Sequence, residues 1–337
     1  GMDGLITLPN LNPYWKYYRH STAIRHSRNY FVNNYTGTEK IFLYTGLDDG
    51  WAFPMPNLLT EAGFIDVLCA DLDGKQQEDV IKINNLEDGG KDKLTFSVYS
   101  SNLYSGMAKK YARTYNFSTI YEDKDKRKSI QPKFYYTGDF NGDGKQEVLA
   151  VSVHQPFGDT TKPSKCYVFD LNNDKILYQN TMFSYNIEFV GTRQGDAKAA
   201  ANNSDKLFVF DYDGDGKTDV CHISSTGANI YTFDVSGTSL FARKIATYSG
   251  LTVSSLANRQ LYLGDFNGDG LMDFLRSPSS TMKDDASWTV FYSKGDGSFV
   301  TSVVKGETVK EDDGEGFIIQ DVNNDGKSDI VKYMDYG

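Results

Sequence analysis

One acidic turn recurs along this chain and limits what the chain can fold into. The clearest copy, DFNGDGLMDF, occupies residues 265–274. DFNGDGKQEV begins at Asp139, DYDGDGKTDV at Asp211 and DVNNDGKSDI at Asp321, and a weaker copy, DLDGKQQEDV, begins at Asp71. Carboxylates this close repel one another unless a positive charge sits among them. Numbered from the first Asp, positions 1, 3, 5 and 9 carry oxygen side chains and position 6 is Gly in the four clear copies. The alternation aims every second residue inward, and glycine permits the backbone angle that a tight turn demands. Hard oxygen ligands without His or Cys select calcium over zinc or copper.

The expected metal ligands follow copy by copy. They are Asp139, Asn141, Asp143 and Glu147, then Asp211, Asp213, Asp215 and Asp219. Asp265, Asn267, Asp269 and Asp273 come next, then Asp321, Asn323, Asp325 and Asp329. Position 7, which is Lys145, Lys217, Leu271 or Lys327, varies in side chain, as a residue contributing only its carbonyl can. The first copy is a weaker metal candidate. It keeps Asp71, Asp73 and Asp79 but places Lys75 at position 5 and Gln76 at position 6, and a lysine there opposes an ion.

The pattern opens like an EF-hand and then departs from it. An EF-hand needs a bidentate Glu at position 12 and a helix on each side. Position 12 here is Ala150, His222, Arg276 or Lys332. The flanks, such as KFYYTGD before and EVLAVSV after, are short, aromatic and β-branched, which is strand text. Ordinary Asn/Asp/Gly hairpin turns are the bland alternative. Four copies that each keep acids at positions 1, 5 and 9 argue against it. The five loops hold 16 of the 45 acids at their ligand positions, so much of the net charge of −10 is concentrated there.

The loops start at 71, 139, 211, 265 and 321, a repeat of 54 to 72 residues. Each period reads as strand, acidic loop, strand and hairpin. The hairpins include 165–180, 228–245 and 288–304. Four strands per repeat is the make-up of a propeller blade. No helix longer than two turns is expected.

These loops resemble the FG-GAP/VCBS repeats of integrin-α-type β-propellers, whose calcium loop D-x-[DN]-x-D-G-x-x-[DE] joins the first two strands of a blade. The resemblance covers about residues 63–337 and lies in the calcium-loop half of the pattern; the literal Phe-Gly…Gly-Ala-Pro signature is missing. It implies an all-β fold, a β-propeller of four-stranded blades. The expected organisation is an N-terminal extension over 1–28 and a single propeller over 29–337. Only one strand follows the last loop, so the hairpin at 29–45 is expected to complete the C-terminal blade, giving five blades. If residues 1–62 form a blade of their own, the count becomes six or seven.

Composition narrows the function. An acidic chain lacks the clustered Lys and Arg that phosphate binding needs, apart from RHSTAIRHSR at 19–28, which reads as a solvated extension. No apolar run approaches a membrane span. Cys69, Cys166 and Cys221 lie in apolar runs and read as buried free thiols. Gly1 ahead of Met2 reads as a cleavage remnant, with a signal peptide removed. His20, His26, His154 and His222 form no metal pair, and no nucleophile elbow or phosphate loop is present. Trp15 in PYWKYY and Trp51 in WAFPMPN are candidate partner-binding residues, against a blander packing role. KGD at 294–296 resembles an adhesion tripeptide but is explained by turn chemistry.

The leading expectation is a secreted or surface-exposed, non-enzymatic calcium-binding propeller acting as an adhesion module. Its ligand is expected to be a protein or a glycan. The alternatives are a lectin-like propeller, a scaffold domain of a larger secreted toxin or Rhs-type protein, and a polysaccharide lyase. Extracellular calcium modules bind with Kd of about 10⁻⁴–10⁻³ M, which cytosolic calcium would leave unfilled.

Overall fold

The fold was described from a computed structural model. The structure describes residues 15–18, 30–33, 40–43, 51–54, 64–75, 79–88, 91–102, 106–118, 132–152, 165–183, 205–257, 259–281, 284, 286–308 and 315–334.

Short β-branched and aromatic runs separated by Gly, Asn and Asp turns fold into strands that pair with their chain neighbours. The first sheet is β1 (Trp15–Tyr18), β2 (Tyr30–Asn33), β3 (Lys40–Leu43) and β4 (Trp51–Pro54). The second is β5 (Phe64–Ala70), β6 (Asp79–Asp88), β7 (Lys91–Asn102) and β8 (Gly106–Ser118). The third is β9 (Pro132–Gly138), β10 (Glu147–Ser152), β11 (Lys165–Asp170) and β12 (Lys175–Thr181). The fourth is β13 (Lys206–Phe210), β14 (Asp219–Ser224), β15 (Gly227–Ser236) and β16 (Ser239–Tyr248). The fifth is β17 (Leu261–Gly264), β18 (Asp273–Arg276), β19 (Ser287–Ser293) and β20 (Phe299–Lys305). A two-stranded sheet, β21 (Glu315–Gln320) and β22 (Asp329–Met334), follows. The chain is therefore all-β, with five four-stranded antiparallel sheets. The single helical turn among the described residues is a 3₁₀ segment, Val253–Leu256, capped by Thr252.

Compact packing divides the chain into two units. One comprises Gly1–Pro13, Ile187–Thr232 and Arg243–Gly337; the other comprises Tyr14–Asn186 and Phe233–Ala242. In the second unit, Leu68, Ile81, Phe96 and Val98 meet Val148, Ala150 and Phe169 in one fully buried core, so adjacent sheets pack face to face. In the first unit, Phe210, Tyr212 and Ile230 join Met272, Phe274 and Phe291 in the same manner, and Trp288 and Leu275 pack on Phe317 and Ile319. In the third sheet β10 is buried at every residue, with Val148, Leu149, Ala150 and Val151 between Glu147 and Ser152.

The N-terminal hairpin does not complete the C-terminal blade. β2 and β3 pair with each other and are flanked by β1 and β4, so both hairpin edges carry a partner, and β21–β22 stands as two strands. Residues 15–18, within the stretch read as an extension, form a strand of that first sheet. The four strands between Trp15 and Pro54 thus form a sheet of their own.

Candidate metal centre

Each acidic loop joins the first two strands of its sheet, so strands and not helices hold its ends. The four clear copies share one hydrogen-bond scheme. The position-1 carboxylate accepts from the position-6 amide: Gly144 N–H to Asp139 at 2.8 Å, and Gly216, Gly270 and Gly326 N–H to Asp211, Asp265 and Asp321 at 2.9 Å each. The position-3 side chain accepts from the position-5 amide, as in Asp143 N–H to Asn141 at 2.7 Å. The position-5 side chain accepts from the position-7 amide, as in Lys217 N–H to Asp215 at 2.8 Å. Position 9 accepts from the position-2 amide, which spans the loop: Tyr212 N–H to Asp219 at 3.1 Å and Phe266 N–H to Asp273 at 2.9 Å. The side chains at positions 1, 3, 5 and 9 therefore all bond to amides of their own loop.

Gly at position 6 is required. Its φ is 82° at Gly144, 87° at Gly216, 85° at Gly270 and 83° at Gly326, in the left-handed region that penalises other residues. Position 4 needs the same region, with φ near 79° at Gly214 and Gly268 and 60° at Asn324. That demand was readable from the repeated Gly/Asn at position 4.

The loops differ in what surrounds their carboxylates. Asp211, Asp213 and Asp215 bring one oxygen each to within 4.8 Å of one another. Asp219 behind them is 1% exposed, and its Oδ1 is buried with no hydrogen-bond partner among the described residues. Burial pushes its pKa up to about 7; the nearby Thr232 hydroxyl and the Tyr212 N–H bonded to Oδ2 work against the shift, while the charges of Asp213 and Asp215 add to it. Burial likewise pushes Glu147 up to about 9 and Asp273 up to about 6. Their second oxygens are satisfied, Glu147 by the Asn141 amide at 2.8 Å and Asp273 by Ser293 N–H at 2.9 Å. An anionic oxygen left buried and unpaired costs several kcal/mol unless a cation meets it. The third loop is the one whose buried acid keeps an oxygen without a hydrogen-bond partner among the described residues.

The position-7 side chains make contacts of their own. The Lys217 ammonium lies 3.0 Å from Asp215 and that of Lys145 3.6 Å from Asp143. Side chains at this position also cover the preceding loop: Lys145 abuts Gly74, Leu271 abuts Gly214 and Lys327 abuts Gly268. Backbone bonds join the loops as well, Gln146 N–H to the Asp71 carbonyl at 2.8 Å and Ser328 N–H to the Asp265 carbonyl at 2.6 Å. The varied residue types at position 7 hid this inter-loop packing from sequence reading.

The remaining candidates sit as follows. In the weaker copy, Asp71, Asp73 and Asp79 come together around lysines: Lys75 Nζ is 2.7 Å from Asp73, and Lys110 Nζ is 2.9 Å from Asp79. Nothing in the local text of the loop pointed to Lys110. Trp15 opens β1 and Trp51 opens β4. The KGD turn joins β19 to β20; Asp296 accepts from Ser298 N–H at 3.0 Å, and Gly297 N–H donates to Tyr212 Oη at 2.8 Å, so the turn is packed on the third loop. His222 Nε2 lies 2.7 Å from Asp205, both buried, in a structural pair. His20, His26 and His154 lie outside the described residues. All three cysteines are buried free thiols, and burial pushes the Cys166 thiol up to about 12. Among the described residues no helix is long and apolar enough to cross a membrane.

Comparison with known proteins gives the following. No curated protein matches the chain in a sequence search. Among solved structures, the chain is similar to an Agrocybe aegerita lectin described for specific recognition of non-reducing terminal N-acetylglucosamine. Identity is 14%, the TM-score is 0.56, and the match covers 95% of this chain and 74% of that one. It is also similar to the major Malassezia sympodialis allergen Mala s 1, at 11% identity and TM-score 0.43 over 88% of this chain and 83% of that one. A third similarity is to a rhamnogalacturonan lyase of Bacillus licheniformis, at 15% identity and TM-score 0.38, over 81% of this chain and 52% of that one. At these identities the likeness to the lectin speaks for the fold alone. The third and fourth loops and the strands between them, residues 211–276, match the model of the FG-GAP-like repeat, and the chain carries a repeat of that family there.

Proposed function

We propose that the chain is a calcium-binding β-propeller, its sheets the blades, which serves outside the cell or at its surface as an adhesion or protein-interaction module. The observation that carries the calcium reading is the third loop: three carboxylates converge in front of Asp219, whose buried Oδ1 lacks a partner. Asp211, Asp213, Asp215 and Asp219 with the Lys217 carbonyl would hold the ion there. The matching positions of the second, fourth and fifth loops would hold one each: Asp139, Asn141, Asp143, Glu147 and Lys145; Asp265, Asn267, Asp269, Asp273 and Leu271; Asp321, Asn323, Asp325, Asp329 and Lys327. Calcium would supply charge neutralisation and a fixed loop shape, not catalysis. The propeller reading is supported by the placement of first strands beside one another, β5 next to β9 and β17 next to β21, which radial repetition produces.

The interaction role is supported by the repeat-family match over residues 211–276, and the extracellular setting is suggested by the calcium affinities typical of extracellular modules. A second reading, a glycan-binding propeller, is favoured by the fold similarity to a lectin that recognises N-acetylglucosamine. A calcium titration followed by melting checks the metal, with magnesium as control; a melt unmoved by calcium sinks that reading. Calcium-dependent retention on a glycan array would select the second reading over a protein ligand, and an empty array would reject it.

A further inference from the structure

The first loop keeps three acids but differs from its neighbour in a way that strand register makes visible. In the second sheet, Val80 of β6 faces Tyr99 of β7, which faces Lys109 of β8; the next row is Ile81, Val98 and Tyr111. Lys110 falls between the rows as the unpaired residue of a β-bulge. The third sheet repeats the arrangement. Val148 of β10 faces Phe169 of β11, which faces Ile176 of β12; the next row is Leu149, Val168 and Tyr178, with Leu177 bulged out. The two bulges occupy the same place, one row beyond loop position 9, which is Asp79 in one sheet and Glu147 in the other. Bulges re-aim a side chain without breaking the sheet. One sheet uses that device to aim an ammonium, and the other has leucine there.

The lysine reaches the loop. Lys110 Nζ lies 2.9 Å from Asp79 Oδ1 and 3.0 Å from its Oδ2, with Asp73 Oδ2 at 3.7 Å. Lys75 closes the other side, its Nζ 2.7 Å from Asp73 and its N–H bonded to Asp71 at 3.1 Å. Together the two ammonium groups bring the charge that one divalent ion would bring. An ammonium offers three donors and no acceptor, which suits a cluster of acceptor-only carboxylates.

We propose that Lys110, delivered by the β8 bulge, is the resident cation of the first loop, and that this loop is a latent divalent-cation site held shut by the chain's own ammonium groups. The first loop therefore keeps its shape in the absence of calcium. It braces the second loop through the paired bonds between Asp71 and Gln146, both 2.8 Å. The assignment stands whether or not the other loops take calcium, although the count of ions below uses that reading.

The test has two arms on the full chain. Lysine-ammonium NMR of ¹⁵N-lysine-labelled protein, with the Lys110 signal assigned by its loss in K110L, should give a slowly exchanging resonance that is the same in EGTA and in millimolar calcium. A signal that calcium shifts or abolishes overturns the proposal. Separately, K75D/Q76G/K110L, which writes the second sheet's residues into the first, should bind one more calcium ion than the unchanged chain. A folded triple variant that gains no ion also overturns it. If the unchanged chain binds no calcium at all, the reading of the other loops falls while the NMR arm still decides Lys110; if the triple variant does not fold, the NMR arm decides alone.

Discussion

The first and third acidic loops, which open DLDGKQ and DYDGDG, share Asp, Asp and Gly at positions 1, 3 and 4 and meet their charge differently. In the first, Lys110 and Lys75 sit among the carboxylates: burial raises Asp79 above the ordinary carboxylate value, as it raises Asp219, but here the Lys110 ammonium works against the shift, and the Lys75 hydrogen bond lowers Asp73. In the third, Lys217 is placed 3.0 Å from Asp215. Asp219 keeps a buried oxygen unpaired and a pKa raised to about 7. The turn backbone itself does not demand an ion, because amide donors already shape it. In the first loop the lysine answers the ninth-position acid, which the following strand carries into the interior, and in the third the proposed ion would answer it.

That contrast can be broken in several ways. The largest effect expected is calcium removal. At roughly 1 mM calcium and a Kd of about 10⁻⁴ M, each site adds about 1.4 kcal/mol, so four sites contribute on the order of 5 kcal/mol. Excess EGTA should lower the melting temperature by several degrees, and substitution of magnesium for calcium should not restore it. Differential scanning calorimetry reads this directly.

Next in size is Lys110→Met, which leaves Asp79 buried beside β8 without its ammonium. Breaking a buried pair by removing one partner costs about 3–5 kcal/mol, and Lys110 is one-third exposed, so about 2 kcal/mol is expected after solvent screening. Denaturant unfolding should show that loss equally in calcium and in EGTA. A loss confined to EGTA would make calcium the partner of the first loop after all.

Asp219→Asn sharpens the comparison from the other side. In calcium it removes a ligand and should destabilise. In EGTA it removes an unpaired buried charge, relieving a penalty of about 1–3 kcal/mol, and should stabilise. Melts of the variant and the unchanged chain in both conditions should therefore cross; parallel shifts would remove the central support for a third-loop ion.

A smaller effect is the pH dependence of the calcium-free protein. Glu147, Asp219 and Asp273 have folded pKa values of about 9, 7 and 6, above their ordinary 4.5, 3.8 and 3.8. Groups raised on folding bind more protons in the native state, so their contribution is fully present below about pH 4 and is lost as pH rises towards 9. In EGTA the melting temperature should fall between pH 6 and pH 8, and calcium should flatten that slope. A slope unchanged by calcium would separate these acids from metal binding.

Legibility from sequence followed the range of the interactions. The turn chemistry was readable because Asp, Asn and Gly act on their own backbone within a few residues, and the loop hydrogen bonds fall where the spacing put them. The hairpins at 165–180, 228–245 and 288–304 were readable because alternation and turns are local too. The closing hairpin misled: residues 29–45 read correctly as two strands, but their partners, β1 and β4, are four-residue strands too short to announce themselves. Likewise Leu271 and Lys327 looked free to vary, although each side chain lies on the loop before it.

By itself the sequence determined that this chain is all-β, that it repeats, and that its turns concentrate carboxylate and amide side chains, since periodicity, turn residues and spacing are properties of adjacent residues. Only the tertiary structure decided which charge each loop meets. Lys110 stands 31 residues from Asp79, and a one-residue bulge in β8 turns it to the first loop, while the same bulge in β12 presents Leu177. Register across three strands sets that choice, and register is a property of the folded sheet.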